Sequence, residues 1–88
     1  MTTERELEKI YKAVANRRRI AILRYLKSGN ATVGEVAKAI KLSVKSTSRH
    51  LQVLAGARLI AAEQRGLYMH YTLDQKSEGF RTLHSGIF

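Results

Sequence analysis

A mainly α fold closed by a small β-hairpin is predicted by three observations in the 88-residue sequence. Apolar residues recur at helical spacing in four successive segments before Gly56. β-branched and aromatic residues then take over in two short runs on either side of Arg65 and Gly66. Neither proline nor cysteine interrupts or staples the chain. A chain of this length buries only about 60–65% of the surface its unfolded form exposes, so the core is thin and must be completed by packing, a partner chain, or both. Residues 1–88 read as a single domain, with no linker, low-complexity tract or repeat. The N-terminal residues hold no apolar leader core and no apolar run approaches the ~18 residues of a membrane-spanning helix, which points to a soluble cytoplasmic protein.

The elements follow in order. Leu7, Ile10, Tyr11 and Val14 keep the i, i+3, i+4, i+7 spacing of one helical face, and Glu4, Glu6 and Glu8 suit the positive end of its dipole. Asn16 is a good N-cap for a second helix over about residues 17–27, with Ile20, Leu23 and Leu26 facing inward and Gly29 and Asn30 as its left-handed stop. Thr32 and Glu35 have the spacing of a capping box, and Val33, Val36, Ala37 and Ile40 mark the buried stripe of a short third helix. Lys41 and Leu42 make a turn. Ser43 caps a fourth helix, with Thr47, Leu51 and Leu54 on one face, that ends near Ala55 or Gly56. Ile60, Tyr68, Tyr71 and Thr72, broken by Arg65 and Gly66, form a two-stranded hairpin. Asp74 or Ser77 opens a short last helix carrying Phe80, Leu83 and Ile87.

Two short helices joined by a tight turn and followed by a hairpin describe a winged helix-turn-helix, whose second helix enters the DNA major groove. Charge agrees with an anionic partner. The sequence carries 16 Lys and Arg against 7 Asp and Glu, a net charge of +9. From Lys9 to Ala62 there are twelve basic residues and one acid, Glu35. A one-signed stretch this long is self-repelling unless it meets a polyanion. The basic residues are spread over several segments that each hold core positions, which favours nucleic acid over a membrane surface.

Turning the fourth helix by ~100° per residue sets Lys45, Ser48, Arg49 and Gln52 opposite its apolar face. Arg49 can present a fork to guanine O6 and N7, Gln52 can pair with adenine, and Lys45 and Ser48 can serve base edges or phosphates. Ser46 on the same helix and Lys41 in the turn join this set as expected DNA contacts. Arg65 at the hairpin tip is expected on the backbone or in the minor groove. Arg17, with Arg18 and Arg19, opens the second helix against its dipole, which suits either phosphate contact or a solvated helix start. Tyr71 is expected in the core.

The stretch "TVGEVAKAIKLSVKSTSRHLQVLAGARLI" followed by "EQRGLYMHYTL" resembles the ArsR-type family of winged-helix transcriptional repressors, and "AVANRRRIAILRYL" resembles that family's opening helices. The resemblance rests on Ser48, His50 and Leu51 within "SRHLQVL", on Leu59 and Ile60 before the wing, and on Tyr71 and Leu73 closing it. It implies a homodimer that binds an operator with two recognition helices, represses transcription, and releases DNA when a metal or other effector binds. The Cys-x-Cys pair of metal-sensing members is absent around Glu35, Val36 and Ala37, and Asp74 and His84 do not make a zinc-ligand set. No metal and no cofactor are expected, and the effector is left open. Arg58 stands where the family commonly has glycine, and Gly56 is expected to take the turn instead.

The apolar residues Leu7, Ile10 and Tyr11 of the first helix and Phe80, Leu83 and Ile87 of the last are the expected dimer interface. Pairing across a two-fold axis would set the reading helices roughly 34–36 Å apart and call for a palindromic site. A monomer that folds these helices back on itself is the alternative. The three histidines lack thiol partners, and neither a Ser/His/Asp order nor a glycine-rich phosphate loop is present, so an enzyme is not expected. His50 reads as a structural or phosphate hydrogen-bonding residue. The reading is therefore a dimeric duplex-DNA-binding repressor, with a winged-helix protein-interaction module as its alternative.

Overall fold

A computed structural model describes residues 2–87, with side chains through residue 83. The order of elements is α1 (Glu4–Val14), α2 (Arg17–Leu26), β1 (Ala31–Thr32), α3 (Val33–Ile40), α4 (Val44–Gly56), β2 (Ile60–Arg65), β3 (Tyr68–Leu73) and α5 (Glu78–Ile87). This is a mainly helical winged helix-turn-helix with a short C-terminal helix.

Local hydrogen bonds fix the helix starts. Asn16 Oδ1 accepts from the N–H groups of Arg18 at 2.9 Å and Arg19 at 3.1 Å. The capping box at α3 is complete: Thr32 Oγ1 accepts from Glu35 N at 3.3 Å, and Glu35 Oε1 accepts from Thr32 N at 2.8 Å. Ser43 Oγ accepts from Ser46 N at the start of α4. Of the two candidates for α5, Ser77 is the one that caps, accepting from Phe80 N at 3.0 Å. A second capping box, formed by Thr3 and Glu6, starts α1. Each satisfies donors that the first helical turn leaves without intrahelical partners.

The hairpin is part of a larger sheet. β1 adds a third antiparallel strand, pairing Ala31 with Tyr71 and Thr32 with His70, so β3 lies between β1 and β2. His70 Nδ1 also lies 3.0 Å from Asn30 Oδ1, just before β1. The tight turn falls on Gly66 and Leu67 rather than on Arg65 and Gly66, with Gly66 at φ 60° and Arg65 paired to Tyr68 as the last residue of β2. A positive φ at the first central residue suits the strand twist, and glycine adopts it freely.

The core gathers Ile22, Leu23 and Leu26 of α2, Val36 of α3, Leu51 and Leu54 of α4, and Leu59 before β2. Two inward faces differ from expectation. In α1 the buried residues are Ile10 and Ala13, Leu7 and Val14 are half-buried, and Tyr11 is 53% exposed. In α2, Ile22 is fully buried beside Leu23, and Ile20 is only half-buried. The cause is the same in both. The buried face is turned round the helix from a stripe drawn through the largest periodic residues, toward Ala13 in α1 and toward Ile22 in α2, and a residue as small as Ala13 fits where helices approach closely. α5 comes as close: a Cβ on Gly79 would lie 2.9 Å from Ile10 Cδ1. Tyr71 packs against the core, as expected.

The turn after α4 corrects a further expectation. Gly56 is the last helical residue, and the left-handed position belongs to Arg58 at φ 59°. Arg58 N donates to Ala55 O and Leu59 N to Leu54 O, each at 3.0 Å, the paired bonds of a Schellman ending. The left-handed region costs a residue with a Cβ about 1–2 kcal/mol, offset in part by glycine's greater chain entropy. Arg58→Gly is therefore expected to stabilise the fold by about 0.5–1 kcal/mol, read as a rise of a few degrees in melting temperature.

Candidate nucleic-acid interface

α3, the turn at Lys41 and Leu42, and α4 make the helix-turn-helix. Lys41 takes φ 57°, and Leu42 N closes the turn by donating to Ala37 O at 3.0 Å. The chain can then re-enter a helix at Ser43. On α4, Thr47, Leu51 and Leu54 are buried. Lys45, Arg49 and Gln52 are exposed, and Ser46 and Ser48 are half-buried beside them. α4 contains no acidic residue, and its positive N-terminal end lies next to Lys41 and Lys45. A phosphate backbone is attracted to that end by the dipole and by both ammonium groups.

Arg65 is exposed near the wing tip, its Nη2 3.4 Å from Glu63 Oε2. That ion pair is solvent-exposed and weak, so the guanidinium remains available to a stronger anion. Beyond it, Leu67 is 91% exposed. Two apolar residues of α4, Val44 and Val53, are also exposed, which a count of polar groups on that helix does not reveal.

The arginine run at the start of α2 divides by role. Arg17 is exposed and lines a cleft of about 640 Å³ between α2 and α3 with Asn16, Arg18, Tyr25 and Ile40. Arg18 Nη1 donates to Ile40 O at 3.3 Å, fastening α2 to the end of α3. Arg19 turns inward: Nε donates to Ala13 O at 2.7 Å, Nη2 to Lys12 O at 3.2 Å, and Nη1 lies 3.3 Å from His50 Nδ1. Only Arg17 of the three keeps a side chain without a hydrogen bond among the described residues.

His50 is held below the ordinary imidazole value, first by burial and then by the positive charges of Arg19 and Arg18. Folding therefore favours the neutral ring. The stability this contributes is complete above the unfolded value of about 6.5 and is lost as pH falls through it toward the lowered folded value. Thermal melts from pH 7.5 down to 5 are expected to show a decline that His50→Gln makes shallower, and the NMR titration of the His50 ring is expected to have its midpoint below that of a free imidazole.

Of the residues expected at a dimer interface, Ile10, Phe80 and Leu83 are already buried within the single chain. Leu7 and Tyr11 retain exposed surface, and the side chain of Ile87 lies outside the described residues. Among the described residues no group of three His, Asp or Glu comes close enough to hold a metal ion, and no helix is long and apolar enough to cross a membrane.

Residues 16–62, more than half of the chain, match the profile of the bacterial regulatory proteins of the arsR family. The chain belongs to the arsR family. It is thus a winged helix-turn-helix transcriptional regulator and not an enzyme. It is 32% identical over 68 residues to the transcriptional repressor SdpR of Bacillus subtilis, covering 77% of this chain and 76% of that one. It is 36% identical over 74 residues to the HTH-type transcriptional regulator Rv2034 of Mycobacterium tuberculosis, covering 84% and 69%. Among solved structures it is similar to the homodimeric winged helix-turn-helix DNA-binding domain of Mb0332 from Mycobacterium bovis, a possible ArsR-family regulator. That likeness has a TM-score of 0.82 at 28% identity, over 92% of this chain and 73% of the other. The arsR-family chain described here has no cysteine, so no thiolate sensor can be built from it.

Proposed function

We propose that this arsR-family regulator is a homodimeric repressor that reads a palindromic duplex-DNA operator with the outer face of α4. The observation that carries the reading is that face itself: Lys45, Arg49 and Gln52 project from a helix whose opposite side is locked into the core by Leu51 and Leu54. A rigid helix presenting a guanidinium and an amide is the chemistry that distinguishes guanine and adenine edges in the major groove. Ser48 serves base edges or phosphates on the same face, and Ser46, Lys41, Arg17 and the wing's Arg65 are the further DNA contacts of this reading. The repressor role is supported by the likeness to SdpR, and the two-fold assembly by the likeness to the Mb0332 domain.

The dimer forms over α1 and α5. Because Ile10, Phe80 and Leu83 are committed to the chain's own core, the partner meets Leu7 and Tyr11 and the outer edges of those helices. Residues 1–88 act as one domain, in the cytoplasm where the operator is.

Selection of bound duplexes from a random pool tests the reading. A palindrome with half-sites about 10 base pairs apart is the expected result, and affinity for it is expected to fall about 10³–10⁵-fold between 50 and 200 mM salt if 6–10 phosphates are contacted. An unenriched pool with salt-tolerant binding to another protein would instead make the chain an interaction module. A single enriched half-site would make it a monomer.

A further inference from the structure

Arg19 and His50 lie 31 residues apart in sequence, yet one guanidinium joins them. Arg19 donates through Nε and Nη2 to Ala13 O and Lys12 O at the C-terminal end of α1. A cation placed there is favoured by the dipole and satisfies carbonyls that the helix leaves open. Its remaining nitrogen, Nη1, faces His50 Nδ1. A guanidinium can only donate, so Nδ1 accepts, and the neutral ring carries its proton on Nε2. Three helices thus meet at one side chain: the end of α1, the first turn of α2, and the middle of α4.

His50 directly follows Arg49 and sits on the flank of α4, between the apolar face and the exposed one. Apolar packing by Leu51 and Leu54 sets which face of α4 is inward, but apolar contacts are not directional and leave a small residual rotation about the helix axis. A rotation of about 10° moves a side-chain tip on a helix surface ~5–6 Å from its axis by about 1 Å. Such a displacement is larger than the 2.7–3.2 Å window in which an N–H···O bond is good. A directional contact on the flank removes that freedom, and the hydrogen bond from Arg19 is such a contact.

We infer that Arg19 is a positioning residue for base reading: through His50 it fixes the rotation of α4 and ties it to the end of α1, so that Arg49 and Gln52 meet base edges in register. The inference rests on the DNA reading proposed above. Arg19 itself touches no DNA.

The test compares binding to the selected operator duplex and to a scrambled duplex of equal length at the same salt, with melting temperatures measured in parallel. Arg19→Ala and His50→Leu are expected to lower the operator-to-scrambled ratio about tenfold or more, the loss of one good base contact, while affinity for the scrambled duplex and its salt slope stay unchanged. His50→Gln, whose amide oxygen can accept from Arg19, is expected to keep most of the ratio. The wild-type ratio is expected to fall on acidification as His50 gains a proton and can no longer accept from Arg19, and in His50→Gln that fall should be absent. Should Arg19→Ala fail to fold, Arg19→Lys keeps the charge without the fork that reaches both carbonyl and imidazole, and is expected to lower the ratio in the same way.

Three outcomes overturn the assignment. A lower melting temperature with an unchanged ratio would make Arg19 a purely structural residue. Equal losses on both duplexes, with a shallower salt slope, would make it a phosphate contact. A wild-type chain that prefers no duplex overturns the DNA reading itself, and the assignment with it, before any variant is compared.

Discussion

Replacing Arg49 with alanine is expected to cost the selected operator about 1–3 kcal/mol, roughly fivefold to 150-fold in affinity, and to relax preference at one base position of each half-site. The size follows from the chemistry of the contact. Arg49 is exposed on α4, no acidic neighbour on that helix competes for it, and its fork can engage guanine O6 and N7 together. A wrong base leaves one or both donors unpaired after they have been stripped of water. Arg65→Ala is expected to behave differently. Arg65 sits near the wing tip in a weak pair with Glu63, and contact with phosphate carries no sequence information. Its loss should weaken all duplexes alike and make the salt slope shallower by about one unit. Competition binding against a panel of single-base operator variants, repeated at three salt concentrations, separates the two patterns. An Arg49→Ala chain with unaltered base preference would show that α4 is not the reading helix.

The parts of this arrangement legible in the sequence are those whose causes are local. Asn16, Thr32 and Ser43 cap donors two or three residues away, so each helix start can be read from a short window. The exposure of Lys45, Arg49 and Gln52 on α4 was equally readable from helical spacing, whereas the exposed Val44 and Val53 on the same helix were not. β1 was not. Two residues cannot display an alternation, and Ala31 and Thr32 become a strand only because Tyr71 and His70 arrive beside them from forty residues downstream. Separation in sequence also hid the Arg19 network, whose His50 contact spans 31 residues. In isolation Arg19 is one of three consecutive arginines, and nothing in that run says which one turns inward; only the approach of α1 and α4 decides it.

Two failures have a different origin. Tyr11 satisfies the spacing of a buried stripe, but the face of α1 that meets the core runs through Ile10 and Ala13, and Ala13 lies ~200° round the helix from Tyr11, which leaves the ring 53% exposed. Arg58 stands where a glycine is favoured, and the chain nonetheless keeps the left-handed turn there, because the Schellman bonds to Leu54 and Ala55 and the burial of Leu59 outweigh a strain of about 1–2 kcal/mol. Local preference was overruled by packing in both places.

Leu51→Ala is expected to produce a large loss of stability, and it tests the other side of the helix that carries Arg49. Leu51 is fully buried among the core residues of α2, α3 and α4. Truncation removes its transfer free energy and leaves a cavity that three helices cannot close without moving, a combined cost of about 2–5 kcal/mol. At ~0.05–0.15 kcal/mol per residue, a chain this short holds only about 4–13 kcal/mol in all, so the change removes a large share of it. Each kcal/mol lowers the melting temperature of such a domain by roughly 4–8 °C. A fall of about 10–30 °C is the expected result. Leu51→Met, close in volume, should cost less than about 1.5 kcal/mol. Operator DNA binds the folded state alone, so duplex at about 100 times its dissociation constant should return ~2.7 kcal/mol to the truncated chain. Arg49→Ala should show the reverse pattern, with operator binding weakened and the melt unchanged. Were Leu51→Ala to melt within a degree or two of the parent chain, α4 could not be anchored as described, and the outward direction of Lys45, Arg49 and Gln52 would lose its physical basis.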